Sequence, residues 1–231
     1  MEGSSVKQPE YDGDFFDAGR QYFAHGLPAW RGFVLDVLKA TSIADFGCGQ
    51  GDWLEPLQGQ IPVWGCDGYA DEAHLRIDPT NFRKVDIGSA SPSSLDVGQR
   101  DVVMSLEAME HVVAEREGNF LDCMLSPSPR LVVLSVASGW GTYDPAQTKR
   151  NRLGEVVPGG PGWHPQYGRH HVNCQPVGTV VAKMAHRGFV VDKELSAAFS
   201  SLRVPGRTSR GRFAFAGFYR KNTRVYRRAG A

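Results

Sequence analysis

The chain has 231 residues and a formal net charge of +1, and this length suits one domain with a sizeable buried core. Hydrophobic residues make up 41% of the chain and charged residues 22%, so collagen-like, fully disordered and disulfide-scaffold proteins are excluded. No apolar run approaches the roughly 18 to 20 residues that cross a bilayer, and the N-terminus lacks the pattern of a secretory signal. The cysteines are dispersed without a CxxC pair, which predicts a reduced, cytoplasmic protein.

Short apolar runs separated by helical stretches dominate the pattern along the chain. Residues 1–10 are polar and are predicted to form a disordered tail, and the apolar spacing of residues 31–38 predicts a helix. The runs that follow are rich in Val, Ile and Phe, which is typical of parallel strands covered by helices on both faces. These runs are residues 42–46, 61–66, 82–87, 101–105 and 131–136.

Two further runs, residues 188–191 and 212–219, predict the last strands. The interval between them is too short for a typical crossover helix, so we expect the last strand to be antiparallel. The pattern predicts an α/β, doubly wound, mostly parallel sheet in a single domain over residues 11–226, followed by a basic tail at 227–231.

A long segment dense in Gly, Pro, Trp and His, residues 137–171, interrupts the alternation of strands and helices. Loops longer than about 12 to 15 residues inside a compact domain are usually functional or disordered. This one follows the carboxyl end of a predicted strand, the side of an open α/β sheet where ligands bind. It is predicted to be a lid or a substrate-binding insertion.

The strongest signal lies where the first predicted strand ends. Asp45 closes the strand, and Gly47, Gly49 and Gly51 alternate with other residues before a helix predicted to begin near Asp52. Glycines leave no Cβ to obstruct a ligand, and a helix N-terminus offers unpaired N–H groups. The dinucleotide fingerprint G-x-G-x-x-G fails at position 52, where an acid would also repel a pyrophosphate. The loop therefore suits a ligand without phosphates whose ammonium group Asp45 neutralises.

Two more acids follow the second and third predicted strands. Asp67 is well placed to hydrogen-bond both hydroxyls of a ribose, and Asp86 to accept a hydrogen bond from an adenine amino group. Each acid by itself equally suits a helix cap or a turn. Their order behind the glycine loop favours a nucleoside site.

This set of residues resembles the class I S-adenosylmethionine-dependent methyltransferases. Residues 45–51 match their first motif, Asp67 the ribose-binding acid and Asp86 the adenine-side acid, while residues 101–112 match their fourth strand and the helix after it. The resemblance implies a seven-stranded Rossmann-like sheet with an antiparallel last strand, S-adenosylmethionine as cofactor, and Leu106 against the adenine ring.

A narrower similarity is to small stand-alone bacterial and phage methyltransferases with a Gly-Gly-His-Val-Asn segment. It rests on Gly159-Gly160 and on His171-Val172-Asn173, with a longer insertion at residues 163–170 between them. Asn173 is therefore a candidate substrate contact. The aromatic residues before the first strand commonly form part of the substrate pocket in this class, which adds Tyr11 and Tyr22.

Histidines are the first candidates for a base, which a hydroxyl acceptor needs and an already nucleophilic acceptor does not. His111 and Glu107 are four apart on a predicted helix and would share one face, either as a base with its orienting carboxylate or as a brace for the cofactor loop. His171, at the end of the predicted lid, is the better candidate for contacting the acceptor or taking its proton; the alternative is a bond to loop backbone. We expect no metal site, because the later histidines and Cys174 lack zinc-ligand spacing.

Three functions remain open at this point. The leading one is methyl transfer to an oxygen, or less favourably a nitrogen, of a small molecule or glycan precursor. The second is RNA methylation, including cap methylation, since the chain beyond Glu194 is basic. The third is a non-catalytic S-adenosylmethionine-binding regulatory protein. The sequence leaves the oligomeric state undetermined.

Overall fold

The computed structural model describes residues 20, 24–137, 148–150, 156–158, 171–202 and 222–230. Several features of the sequence analysis lie outside these residues. They are the predicted tail at 1–10, the substrate candidates Tyr11 and Tyr22, most of the predicted lid at 137–171 with its Gly159-Gly160 pair, and the predicted strand at 212–219. Among the described residues, no helix has the length and apolar character needed to cross a membrane.

A seven-stranded sheet forms the centre of the described structure, with the spatial order β3-β2-β1-β4-β5-β9-β8. Strands β1 to β5 are parallel, whereas β9 is antiparallel to both β5 and β8. A separate antiparallel pair, β6 with β7, lies within the predicted lid segment. The strands are β1 (Ile43–Phe46), β2 (Val63–Asp67), β3 (Phe82–Lys84), β4 (Val102–Leu106), β5 (Leu131–Ser135), β6 (Thr148–Arg150), β7 (Val156–Pro158), β8 (Phe189–Val191) and β9 (Arg224–Arg228).

The sheet confirms the predicted doubly wound, mostly parallel architecture with an antiparallel last strand. Every residue of β1, β4 and β5 is buried, as expected of central strands covered on both faces. Strand β9 ends at Arg228, so Arg227 and Arg228 belong to the sheet, although the sequence analysis assigned them to a basic tail.

In the described residues, four α-helices cover the two faces of the sheet. The first continues beyond Gly32 as a π-helical turn, Phe33–Val37, which confirms the helix predicted at 31–38. The last one occupies the interval between β8 and β9, where we expected no helix. They are α1 (Leu27–Gly32), α2 (Ala114–Leu125), α3 (Val177–His186) and α4 (Lys193–Ser200).

Each face of the sheet has its own apolar core. On one face, Trp30 and Phe33 of the first helical segment pack with Phe199 of α4; the Phe33 and Phe199 rings are 5.4 Å apart. On the other face, Phe120 of α2 and Met184 of α3 join the second core. The sheet is therefore the middle of three layers, which leaves the carboxyl ends of β1, β2 and β4 along one edge.

The crossovers after β1, β2 and β3 contain short 3₁₀ turns and no α-helix in the described residues, so the prediction of a helix near Asp52 is wrong. The loop after β1 has only a few residues between Gly51 and Gly59, both with positive φ, and Pro56 among them lacks an N–H. A helix of normal length does not fit there. The 3₁₀ turns are Ala24–Gly26, Glu55–Leu57, Glu72–His74, Pro79–Asn81, Pro92–Ser94 and Met109–His111.

Candidate functional site

The glycine loop after β1 packs too closely on its neighbours to accept side chains. Gly47 has a φ of +84°, and a Cβ there would lie 2.4 Å from the Cβ of Ala108. Gly51 has a φ of +87°, and its Cβ would lie 3.0 Å from a side-chain carbon of Ile77. The bare backbone predicted from the sequence is therefore required by the conformation of this loop as well as by its packing.

One carboxyl oxygen of Asp45, at the base of this loop, is buried without a hydrogen bond from the described residues. The residue is 1% exposed, and its Oδ1 has no hydrogen-bond partner among the described residues. Burial, and secondarily the nearby charge of Asp67, hold the pKa of this carboxyl well above its usual range. A cation beside Asp45 would stabilise its ionised carboxylate. The sequence predicts such a cation here, the ammonium group of a ligand.

Gln50, which the sequence analysis did not single out, adds a second buried polar group in the same loop. Its side chain is fully buried, and neither amide atom has a hydrogen-bond partner among the described residues. Buried amides are rarely left in this state in a folded protein. Gln50 is thus a further candidate for contacting a polar ligand.

Asp67 ties the glycine loop to the end of β2. Its Oδ2 accepts the N–H of Gly49 at 2.9 Å, and its Oδ1 accepts the N–H groups of Tyr69 and Ala70 at 2.7 and 3.0 Å. Burial raises the pKa of this carboxyl, and these hydrogen bonds oppose the rise. A carboxylate offers about four lone-pair sites, so Asp67 retains capacity for a ligand hydroxyl in addition to a loop-holding role that the sequence did not reveal.

Asp86 and Leu106, the two residues predicted to contact adenine, both make contacts within the protein. Asp86 is exposed and accepts the N–H of Gly88 at 3.1 Å and the hydroxyl of Ser89 at 2.7 Å, which is the turn role given above as the alternative. Leu106 ends β4 and is buried in the core on the face covered by α1. Contacts of either residue with adenine remain predictions.

The acid at position 52 is neutralised by two arginines. The Asp52 carboxylate lies 2.5 Å from Nη1 of Arg20 and 2.7 Å from Nε of Arg76. Its repulsion of a phosphate is therefore weaker than the sequence suggested, and the argument against phosphate ligands rests mainly on Asp45.

The loop after β4 differs from the sequence prediction. Helix α2 begins only at Ala114, and Met109–His111 is a single 3₁₀ turn. Glu107 has a φ of +54°, a conformation that is strained for a residue with a side chain. The prediction that Glu107 and His111 share a helix face is therefore wrong. The Glu107 carboxyl accepts hydrogen bonds from Ser135 and, at 3.4 Å, from Asn222.

The structure instead brings together two histidines and a different carboxylate. The rings of His111 and His171 are 5.0 Å apart and nearly perpendicular, at 81°. Oε1 of Glu110 lies 4.0 Å from Nε2 of His171, whose side chain is 26% exposed, whereas Glu110 is fully buried. The backbone N–H groups of Val172 and Asn173 donate to the carbonyl of Glu110 at 2.9 and 3.0 Å, which holds His171 in place.

We name this group, Glu110, His111 and His171, the acid–histidine cluster. Burial, and then the charge of Glu107, hold the pKa of Glu110 well above its usual range. Burial raises the pKa of the neighbouring Cys174 thiol to about 12, with the charges of Glu110 and Glu107 contributing. Sequence reasoning missed Glu110; the signal available was its position next to His111 and three residues after Glu107.

The side chain of Asn173 is buried and hydrogen-bonded within the protein. Its Nδ2 donates to Glu117 at 3.0 Å, and its Oδ1 accepts from Gln175 at 2.9 Å. Lys183 completes the network with an ion pair to Glu117 at 2.6 Å. The structure thus gives the Asn173 amide a packing role, and substrate contact by this residue stays a prediction.

Comparisons with known proteins identify the fold. No family model matches the sequence, and no curated protein matches it. A sugar N-methyltransferase from a Streptoalloteichus species superposes with a TM-score of 0.58 and 16% identity, covering 99% of this chain and 98% of that one. The DhpI–SAH complex gives a TM-score of 0.54 and 17% identity over 94% of this chain and 92% of that one.

A magnesium protoporphyrin IX methyltransferase from Synechocystis, solved with bound SAH, gives a TM-score of 0.52 and 16% identity, with coverage of 95% and 96%. The chain therefore has the Rossmann-like fold of these proteins. At such low identity the similarity concerns the fold, and the function has to be argued from the residues of this chain.

Proposed function

We propose that the chain is an S-adenosylmethionine-dependent methyltransferase that acts on an oxygen, or alternatively a nitrogen, of a small molecule or glycan precursor. The observation that carries the proposal is the buried oxygen of Asp45, which has no hydrogen-bond partner among the described residues and lies at the base of the glycine loop. A ligand with an ammonium group satisfies that oxygen, whereas a phosphate ligand would worsen the local charge. Fold neighbours solved with SAH support the same cofactor.

The residues of the glycine loop fit this cofactor in three respects. Asp45 would receive the ammonium, the space against Gly47 and Gly51 would receive the body of the ligand, and Asp67 would accept a ribose hydroxyl. S-adenosylmethionine would supply a methyl group on a sulfonium, which transfers by in-line displacement with a neutral thioether as leaving group. The protein then has to orient the acceptor and exclude water.

The acid–histidine cluster is the part of the described chain best suited to contact the methyl acceptor. Gly47 packs against Ala108, three residues before His111, so the cluster adjoins the cofactor loop. His171 is exposed enough to contact the acceptor. The small-molecule acceptor is supported by the neighbours, one of which acts on a sugar and another on a porphyrin.

The proposal is tested by calorimetric titration of the purified chain with S-adenosylmethionine and SAH, with NAD as the phosphate-bearing control. We expect both adenosyl ligands to bind and NAD to bind far more weakly. Incubation with methyl-labelled cofactor and fractionated small-molecule extracts should then transfer label to an acceptor. Failure of both adenosyl ligands to bind at millimolar concentration would refute the proposed function.

A further inference from the structure

From the sequence we expected no metal site, but we infer from the structure that the acid–histidine cluster binds a divalent cation of the first transition row, with Glu110, His111 and His171 as its protein ligands. One ligand atom from each residue lies within 4.8 Å of those of the other two. The three side chains come from two segments 60 residues apart in sequence, 110–111 and 171. The backbone bonds from Val172 and Asn173 to the Glu110 carbonyl hold these segments together.

The spacing in the cluster fits a shared cation better than direct hydrogen bonds. Oε1 of Glu110 and Nε2 of His171 are 4.0 Å apart, which is too far for a hydrogen bond. A cation about 2.1 Å from each of two ligand atoms spans separations up to about 4.2 Å, and smaller ones when the angle at the metal is bent. The separation of these two atoms is thus about what one bridging ion requires.

The burial of the Glu110 carboxylate is a second, independent reason to place a cation in this cluster. Its side chain is fully buried, and neither carboxyl oxygen has a hydrogen-bond partner among the described residues. Buried carboxylates are normally paired, hydrogen-bonded or bound to a metal. The two imidazoles of the cluster lie next to this carboxylate, and a cation bound between the three groups would balance its charge.

The ligand types narrow the class of ion. Imidazole nitrogens suit zinc, iron and other transition cations, whereas calcium and magnesium take mainly oxygen ligands. Three protein ligands leave further coordination positions open, as in catalytic rather than structural sites. Glu107, which Ser135 and Asn222 hold beside Glu110, is placed as a supporting carboxylate.

The inference deepens the proposed function, and its catalytic part rests on that function. A cation at this place would bind an acceptor hydroxyl and lower its pKa, so that the proton leaves to solvent. The oxygen then forms the new bond to the methyl carbon while the electron pair of the sulfur–methyl bond passes to sulfur. No oxidant or additional co-reactant is needed.

The test uses the whole chain, stripped with a chelator and titrated with MnCl₂ alone while free Mn²⁺ is followed by electron paramagnetic resonance. We expect one Mn²⁺ per chain, with nitrogen modulation from bound imidazole. Glu110→Gln and His171→Ala should each weaken binding by at least about tenfold, the lower end of the effect of disturbing a metal site. His171→Ala should also lose part of the nitrogen modulation.

His74→Ala is the matched control. His74 also lies beside a carboxylate, 2.7 Å from Asp71, but this pair is exposed and hydrogen-bonded. Binding should be unchanged in this variant. If Glu110→Gln does not fold, the partly exposed His171 still decides the question.

Absence of stoichiometric Mn²⁺ binding, or equal binding by the parent and His171→Ala, would overturn the inference. Loss of binding in His74→Ala to the same extent as in His171→Ala would overturn it too. Titration with SAH in the presence of chelator tests the proposed function separately. SAH binding without a metal site refutes only the inference, and a metal site without SAH binding refutes only the proposed function.

Discussion

Replacing Asp45 by Asn should make the ligand-free protein more stable and its binding of S-adenosylmethionine weaker. Oδ1 of the buried carboxylate has no partner among the residues that the structure describes, and it lies near the charge of Asp67, so in the absence of a cation the ionised form costs stability. An amide of the same shape removes the charge. The same change removes the group proposed to hold the ammonium of the cofactor.

The magnitudes follow from the cost of an unsatisfied buried group. Removing the charge should raise the free energy of unfolding by about 1–3 kcal/mol. For a chain of this length each kcal/mol corresponds to about 2–4 °C in melting temperature. Loss of a charged hydrogen bond to the ammonium should cost about 1.5–3 kcal/mol, or about 10- to 150-fold in dissociation constant.

The gain in stability should depend on pH in a definite direction. Because the pKa of Asp45 is raised in the folded protein, the folded state holds its proton more tightly than the unfolded state. The penalty is therefore absent below the usual carboxyl pKa of 3.8, grows as pH rises toward the raised folded pKa, and is complete above it. The advantage of Asp45→Asn should be largest at alkaline pH and vanish near pH 3.8.

Thermal melts at several pH values and SAH titrations by calorimetry measure the two effects. Asp52→Asn is the matched control for stability, because Asp52 is equally buried but paired with Arg20 and Arg76. Burial raises the pKa of Asp52 as well, but Arg20 and Arg76 offset part of that cost, so this variant should gain less stability than Asp45→Asn. An Asp45→Asn protein that melts lower than the parent at pH 8 and binds SAH equally well would refute the reasoning.

Three further predictions concern the loop, a buried network and the acceptor side. Gly47→Ala should lower the free energy of unfolding by about 2–4 kcal/mol, because its Cβ would strike Ala108 and its φ is left-handed; an unchanged melting temperature would contradict this. Lys183→Ala should cost about 1–3 kcal/mol at pH 7 in chemical denaturation, because Glu117 loses its ion pair. Burial raises the pKa of Glu117, but hydrogen bonds from Lys183 and its neighbours outweigh burial and leave this pKa below its usual 4.5. The difference in stability between the parent and Lys183→Ala should therefore shrink as pH falls below 4.5. His171→Ala should reduce methyl-transfer kcat by about 10²- to 10⁴-fold while SAH affinity stays constant, and kcat within twofold of the parent would remove it from the catalytic residues.

The sequence by itself determined the framework of this protein. Runs of Val, Ile and Phe with polar ends predicted the five parallel strands. The reason is clearest for β1, β4 and β5, which are buried at every residue because helices cover both of their faces. The spacing of Gly47, Gly49 and Gly51 after Asp45 predicted a bare loop at the edge of the sheet, and the close packing of Gly47 on Ala108 bears this out. These features depend on local pattern, which a chain expresses without reference to distant segments.

Only the tertiary structure decided the composition of the site. His111 and His171 are 60 residues apart, and their meeting depends on how the segment at 171–175 docks on the Glu110 carbonyl. Glu107 looked like the partner of His111 on an α-helix, but only a 3₁₀ turn forms there, and the carboxylate that lies beside His171 is that of Glu110. Which side chains converge is set by contacts between remote segments, and those contacts have no period or spacing in the sequence from which they can be read.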